Sequence, residues 1–549
     1  MVWSQAMSAT PPEPQPLAPV PPVATVSAWT PLINPVFRML WGVWVAANVC
    51  MWMNDVAAAW LMTSLSPSPI MVALVQSAST LPVFLLGVPS GALADILDRR
   101  HYFMITQVWV AAVAIVICLV VSADGISAPL LLALTFANGI GLAMRWPVFA
   151  AIVPELVPRA HLPAALALNG VAMNASRIIG PILAGAIIAS LGSAYVFALN
   201  AVLSVGAFFI IRRWKREQKV SALPGERFVG AMRVGLQYVR QSRRMHAVLI
   251  RVGIFFLQSM ALMALLPLVA KSLHGGGART FTVLLACMGA GAIVAAMFLP
   301  RLRAAASRDD IVTWGTVIQA SAMLVVGITS ELWIAMPAMV VAGGAWISAA
   351  NSLTVSAQLV LPDWVRARGM SIYQMALMGS CAVGAAVWGQ VATWTSVHTS
   401  LMIASGLAIL CLFITQRFNV ESGVVEDLTP AQFARPPGTD IELDPHEGPV
   451  LITVEYRIDP ARTDEFLSVM QESRRNRLRH GMLSWGLFRD PADPARYIEH
   501  FVDESWVEHL RHFERMSAFD LSLRERRLAF HVGDQPPVVH RLLAQAVDK

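Results

Sequence analysis

Gly91-Ala-Leu-Ala-Asp95-Ile-Leu-Asp98-Arg99-Arg100 places two carboxylates and two guanidiniums in a short turn between two long apolar segments, residues 70–93 and 102–121. At about 1.5 Å per residue, either flank can cross a hydrocarbon layer of about 30 Å as a helix. Charge concentrated between two such segments belongs at the aqueous edge of a bilayer. The stretch alone is equally compatible with an ordinary basic loop, so the reading depends on what surrounds it.

The chain has 549 residues, of which 56% are hydrophobic and 14% charged, against about 25% charged in soluble domains. Charge is sparse between residues 40 and 413 and dense after 417, which describes a membrane-embedded region with a soluble piece attached. The net charge of +6 comes from arginines and lysines in alternate loops and needs no nucleic acid to explain it. Cys50, Cys118, Cys287, Cys381 and Cys411 lie in apolar segments without a C-x-x-C pair, so neither a disulfide scaffold, a metal site nor a cofactor is expected.

Twelve apolar segments of membrane-spanning length follow one another: about 37–64, 70–93, 102–122, 129–152, 163–190, 195–212, 246–270, 281–300, 311–329, 332–357, 366–392 and 396–416. Pro82, Pro89, Pro147 and Pro181 lie inside them, as bundled membrane helices tolerate. Alternate loops carry Arg99 and Arg100, Arg159, the run 212–219, Arg301, Arg303 and Arg308, then Arg366 and Arg368; the loops on the other side hold Lys271 and Arg279 as their basic residues. The positive-inside rule then puts both termini in the cytoplasm.

The expected organisation is a proline-rich disordered tail (1–35), a six-helix half (36–212), an inter-half linker (213–245), a second six-helix half (246–417), a linker (418–448) and a soluble domain (449–549). Within 213–245, Phe228, Met232, Leu236 and Val239 share one helical face, which reads as an amphipathic helix on the membrane surface. Residues 158–185 and 362–389 align without a gap at an offset of 204, matching Pro158 to Pro362, Gly180 to Gly384 and Gly185 to Gly389, and Gly139 falls on Gly343. Two halves repeated in parallel bind their substrate near the midplane between them.

Ionisable groups inside a bilayer are costly and therefore functional candidates. Asp55 in the first segment is a candidate proton or substrate carrier. Arg145 in the fourth and Arg177 in the fifth are candidate partners or anion contacts, since a guanidinium there stays charged. A structural ion pair would give the same sequence. Gly180-Pro181-Ile-Leu-Ala-Gly185 offers small residues for close helix approach and a proline bend.

After residue 449 the period changes. Residues 450–457 read as a strand, Asp459 and Pro460 open a helix to about Arg479, residues 484–489 and 496–503 are short strands, 506–530 is a second helix and 538–543 a closing strand. That order, βαββαβ, is a ferredoxin-like unit. The spacing of His509 and His512 places them on one face, expected to be solvated; with His500 they are weak candidates for ligands or proton shuttles.

The opening stretch resembles the loop after the second helix of major facilitator transporters, G-x-x-x-D-R-x-G-R-R. Gly91, Asp95, Arg99 and Arg100 keep its register, while Ile96 replaces its Arg and Asp98 its second Gly. Gly180-Pro181 and Gly185 resemble the fifth-helix motif of drug–proton antiporters in that superfamily. The tail resembles antibiotic-biosynthesis-monooxygenase domains. With Phe37-Arg38-x-Leu40-Trp41, residues 153–158, Asn174-x-x-Arg177, residues 455–460 and residues 485–490, the chain resembles bacterial transmembrane secretion effectors, a group that includes enterobactin exporters and macrolide-efflux proteins. The resemblance implies a multi-pass transporter of the bacterial inner membrane that exports a small organic substrate in exchange for protons, without enzymatic activity. It also implies an Asp95 latch between the halves, and homodimerisation or regulation by the tail. A membrane-anchored enzyme whose tail carries the activity is the alternative.

Overall fold

The computed structural model describes residues 29–158, 161–214, 228–362, 364–418, 426–429, 431, 444, 446–533 and 535–545. The proline-rich stretch 1–28, the basic run 215–219 and most of the 418–448 linker lie outside the described residues.

Twelve helices are long and apolar enough to cross a membrane. The first six are α1 (Pro35–Leu65), α2 (Pro69–Ile96), α3 (Arg99–Ser122), α4 (Ala128–Leu156), α5 (Leu162–Ser190) and α6 (Ser193–Arg213). A short helix, α7 (Phe228–Gln241), leads to the second six: α8 (Arg243–Ser272), α9 (Ala278–Ala305), α10 (Arg308–Ile328), α11 (Leu332–Val360), α12 (Arg366–Trp394) and α13 (Val397–Thr415). Local chemistry sets their starts. Asn34 accepts from the Val36 and Phe37 amides and Pro35 occupies the first turn of α1, while Asp98, Ser242, Ser307 and Ser396 cap α3, α8, α10 and α13.

The 204-residue offset reappears in three dimensions. Shifted by it, the bounds of α4 and α5 become those of α11 and α12, residue for residue. The paired glycines also make paired contacts. Gly180 abuts the Val49 carbonyl of α1 while Gly384 abuts the Leu257 carbonyl of α8. Gly139 meets the Ser79 carbonyl of α2, and Gly343 the Met288 carbonyl of α9. Gly185 meets Thr282 of α9, and Gly389 meets Ala73 of α2. A Cβ at any of these positions would collide with the neighbouring helix. Glycine is therefore used where helices approach most closely.

The C-terminal unit contains β1 (Val450–Arg457), α14 (Thr463–Arg479), β2 (Ser484–Arg489), β3 (Arg496–Asp503), α15 (Trp506–Glu514), α16 (Ala518–Leu528) and β4 (Val538–Leu543). Its sheet is antiparallel, in the order β2-β3-β1-β4. Alternate β1 residues Val450, Ile452, Val454 and Tyr456 turn inward onto Phe466, Met470 and Phe501. The second helix expected over 506–530 is two helices. Ser517 and Asp520 form a capping box that starts a new helix after Arg515.

This unit sits on the second set of helices and on α7. Arg233 of α7 pairs with Glu504 at 2.5 Å, and the Gln237 amide donates to the Met482 carbonyl. Arg479 lies over Tyr238 of α7 while bonding Glu426, and Arg515 lies over Trp364 in the α11–α12 connection. Val234, Tyr238 and Val239 form the packed face of α7. Met232 and Leu236, from the face expected to meet lipid, are exposed, and the Phe228 side chain lies outside the described residues.

Candidate functional site

The opening stretch acts as a staple within the first six helices. Asp98 accepts from the His101 amide and starts α3. Arg99 donates to the Ala151 carbonyl at 2.7 Å and to Glu155 at 2.8 Å, fixing the end of α4. Arg100 donates to the Arg212 carbonyl at the end of α6, where a cation also suits the helix dipole. Ser90 joins Tyr102 of α3 to the Ala143 carbonyl of α4. Among the described residues, nothing beyond its own helix turn approaches within 4 Å of where a Gly91 Cβ would stand. The side chain of Asp95, at the last turn of α2, lies outside the described residues.

Three charged groups occupy the membrane interior of the first six helices, at three levels along α1. Arg145 of α4 is 3% exposed and lies 5.7 Å from the Trp44 ring, which itself stacks on Phe149. Arg177 of α5 lies 5.1 Å from the Trp52 ring and 5.7 Å from the Trp346 ring of α11, so it is held between the two helix sets. Asp55 accepts a 2.7 Å hydrogen bond from Ser79 of α2. The structure thus gives Asp55 a serine partner, and brings it to neither arginine as an ion pair among the described residues.

With Trp52 in the first set and Trp346 in the second, Arg177 stands at the interface between the two sets. Trp346 and Ser79, which share the site, come from other helices and carry no signal of it in the sequence.

At the end of the bundle remote from Arg99 and Arg366, the two sets are in close contact. Gly185 receives Thr282, Gly389 receives Ala73, and the Ile70 amide donates to Thr393 at 3.1 Å. Lys271 donates to the Thr63 carbonyl at 2.7 Å and lies over Trp60, which stacks on Phe281. Both glycines of the fifth-helix motif are thereby used: Gly180 against α1 and Gly185 in this seal.

The C-terminal unit holds a second set of buried charges. Glu499 receives hydrogen bonds from Trp485 at 2.9 Å, Tyr456 at 3.0 Å, Arg527 at 3.1 Å and Arg477 at 3.3 Å. Burial alone would push this carboxyl up, but the two guanidiniums and the neutral donors hold it at about 2. His509 and His512, expected on a solvated face, are 3% and 6% exposed. The correction has a physical cause: α15 is short and lays Trp506, His509 and His512 against the unit's interior, where Asp503 takes His509 at 2.8 Å and His480 meets His512 edge-on. His512 is held well below the usual imidazole range by burial and the neighbouring His480. His500 lies beside Phe488 on the opposite sheet face. No group of three or more His, Cys, Asp or Glu suited to a metal ion occurs among the described residues.

Twelve spans, glycine contacts repeated between two sets of six and a charged centre between the sets define a transporter of the major facilitator type. Solved structures agree in fold: nucleoside transporter NupG (TM-score 0.54, 12% identity, 70% of this chain and 98% of that one) and an auto-inhibited POT family peptide transporter (TM-score 0.56, 12% identity, 72% and 99%). The family model described as transmembrane secretion effector matches residues 26–548, and the chain belongs to that family. The MFS-type transporter YfiS of Bacillus subtilis is 26% identical over 66% of this chain and 88% of its own length. The staphyloferrin A transporter of Staphylococcus aureus and macrolide efflux protein A of Streptococcus pyogenes are each 22% identical; the matches span 46% and 44% of this chain, and 63% and 60% of those proteins.

Proposed function

We propose that the chain is a proton-coupled exporter that moves a small organic molecule by alternating access, with the two six-helix sets rocking about the Arg177 level. The observation that carries this reading is Arg177 at the interface of the two sets, beside Trp52 of the first and Trp346 of the second. Substrate binding at such a point is sensed by both halves. Asp55 lies about one helical turn beyond Trp52 towards the sealed end. Its protonation would exchange a carboxylate acceptor for a hydroxyl donor beside Ser79, and so couple proton binding to the α1–α2 contact.

The basic loops favour both termini in the cytoplasm of a bacterial inner membrane. Siderophore and macrolide carriers among the relatives support export of a drug-like or siderophore-like molecule, as does the resemblance to enterobactin exporters. Asp95 serves as a latch between the sets in this reading. Strand order β2-β3-β1-β4 with helical crossovers supports a ferredoxin-like domain over 449–549. Its seat on α7 and the α11–α12 connection suits a regulatory role, and homodimerisation through the domain remains the second use proposed for it.

The test is accumulation of a radiolabelled macrolide and of salicylate in inside-out vesicles energised by a proton gradient. The wild type accumulates one of them, and Asp55→Asn reduces gradient-driven accumulation to background while exchange at equal pH persists. Undiminished gradient-driven accumulation by Asp55→Asn contradicts the carrier role.

A further inference from the structure

We propose that the substrate is an organic anion with a flat apolar body, its acidic group held by Arg177 between Trp52 and Trp346, with Arg145 as a second anion contact. The inference rests on the transporter reading above and names the substrate class of that same site.

Neither Arg145 nor Arg177 makes a hydrogen bond or an ion pair among the described residues, and the Arg145 Nε and Nη2 are buried without a partner. Arg251 is equally buried, at 3% exposed, yet it is paired with Asp309. Arg99 is satisfied by Glu155 and a carbonyl. Arg99 and Arg251, which tie helices together, each have an acceptor; Arg145 and Arg177 have none among the described residues.

A guanidinium in a low-dielectric interior stays charged, and leaving it unmatched is costly. Asp55 does not match it. Its carboxylate is engaged by Ser79, and along α1 it lies about 16 Å beyond the Trp44 level where Arg145 sits. The repeat mates of the three charged residues are uncharged: Cys381 for Arg177, Ala349 for Arg145, and Met263 for Asp55 at the offset of 208 that relates α1 to α8. The interior of the first six helices thus carries two guanidiniums without an acceptor among the described residues, against one hydrogen-bonded carboxylate.

The indoles define the rest of the ligand. The Arg177 guanidinium carbon lies 5.1 and 5.7 Å from the two indole rings, and its N–H donors, which meet no acceptor among the described residues, form a fork suited to a carboxylate or phenolate. Trp52 and Trp346 offer flat apolar surface to a ring or chain attached to that acid. The Arg145 level is about 12 Å away along α1, so a ligand with a second acidic group at that spacing would engage both.

The test uses the full-length protein in lipid nanodiscs and follows thermal unfolding against salicylate, an aromatic anion, and tetraphenylphosphonium, an aromatic cation. Salicylate raises the Tm of the wild type saturably, because it binds the folded state, and tetraphenylphosphonium does not. Arg177→Gln removes the shift; Arg145→Gln leaves salicylate affinity close to wild type and weakens roughly tenfold the binding of biphenyl-4,4′-dicarboxylate, a flat dianion long enough to reach both levels. Arg177→Lys, which keeps the charge and loses the fork, gives an intermediate affinity and carries the test if Arg177→Gln fails to fold by size exclusion. Absence of a salicylate shift in the wild type, equal affinity in all variants, or stabilisation by the cation overturns the proposal. Gradient-driven uptake of tetraphenylphosphonium in vesicles, unaffected by Arg177→Gln, overturns the anion class and leaves the transporter reading standing. Salicylate binding lost with Arg177→Gln, in a protein that moves nothing across vesicles, upholds the anion site and sinks the transporter reading.

Discussion

Glu499 and Arg145 are two solutions to one electrostatic problem. Glu499 is buried with two guanidiniums and the neutral donors Trp485, Tyr456 and Ser473 around it, and its carboxyl is held at about 2. Because that value lies below the unfolded carboxylate range of about 4.3, the stability it contributes is present above about pH 4.3 and is lost as pH falls towards 2. Hydrogen exchange of the β1 and β3 amides in the full-length protein should accelerate across that window. Glu499→Gln should remove the acid dependence and cost about 3–5 kcal/mol, because it leaves Arg477 and Arg527 buried without their anion. Arg145 has no such partner among the described residues, so Arg145→Gln should raise the ligand-free Tm; a fall would show that the guanidinium supports the fold. Asp55, Arg145 and Arg177 were legible in the sequence as charges in apolar segments. Their surroundings were not, since Ser79 and Trp346 come from other helices. The burial of His509 and His512 was also hidden, because spacing shows that two residues share a face but not what covers it.

At the level of elements, apolar runs and loop charges were enough to locate all twelve spans, with ends set by caps such as Asn34 and Asp98 a few residues beyond each run. Glycine spacing carried further information. Gly139, Gly180 and Gly185 pair with Gly343, Gly384 and Gly389 in sequence, and each pair makes matching helix contacts. The break between α15 and α16 was less visible, because it depends on the Ser517–Asp520 capping box inside an otherwise helix-forming stretch. Gly185 gives the sharpest prediction at this scale. A valine there would drive into Thr282 and prop open the remote seal. Gly185→Val should therefore lower vesicle accumulation at least tenfold while leaving the amount of folded protein on size exclusion close to wild type. Full transport by this variant would show that the seal does not have to close.

Across the whole molecule, the C-terminal unit is tied to one side of the carrier. It contacts α7 through Arg233–Glu504 and the Arg479–Tyr238 stack, and the α11–α12 connection through Arg515 and Trp364. Trp364→Ala together with Arg233→Ala should free the unit, seen as faster hydrogen exchange in α7 and α14 with the β1–β3 amides unchanged. Sequence revealed the four strands after residue 449 but neither their order in the sheet nor the unit's seat, since the docking residues are scattered over separate stretches of chain. The central claim is that two helix sets alternate between sealing opposite ends of the bundle. Its most direct test is a pair of spin-label distances in nanodiscs on a cysteine-free background: Ser64→Cys with Ser330→Cys at the remote end, and His101→Cys with Ala304→Cys at the basic end. Shifting from alkaline to acid buffer with salicylate present should change the two distances in opposite senses, one lengthening as the other shortens. Distances that both stay fixed, or that both move in the same sense, would contradict it.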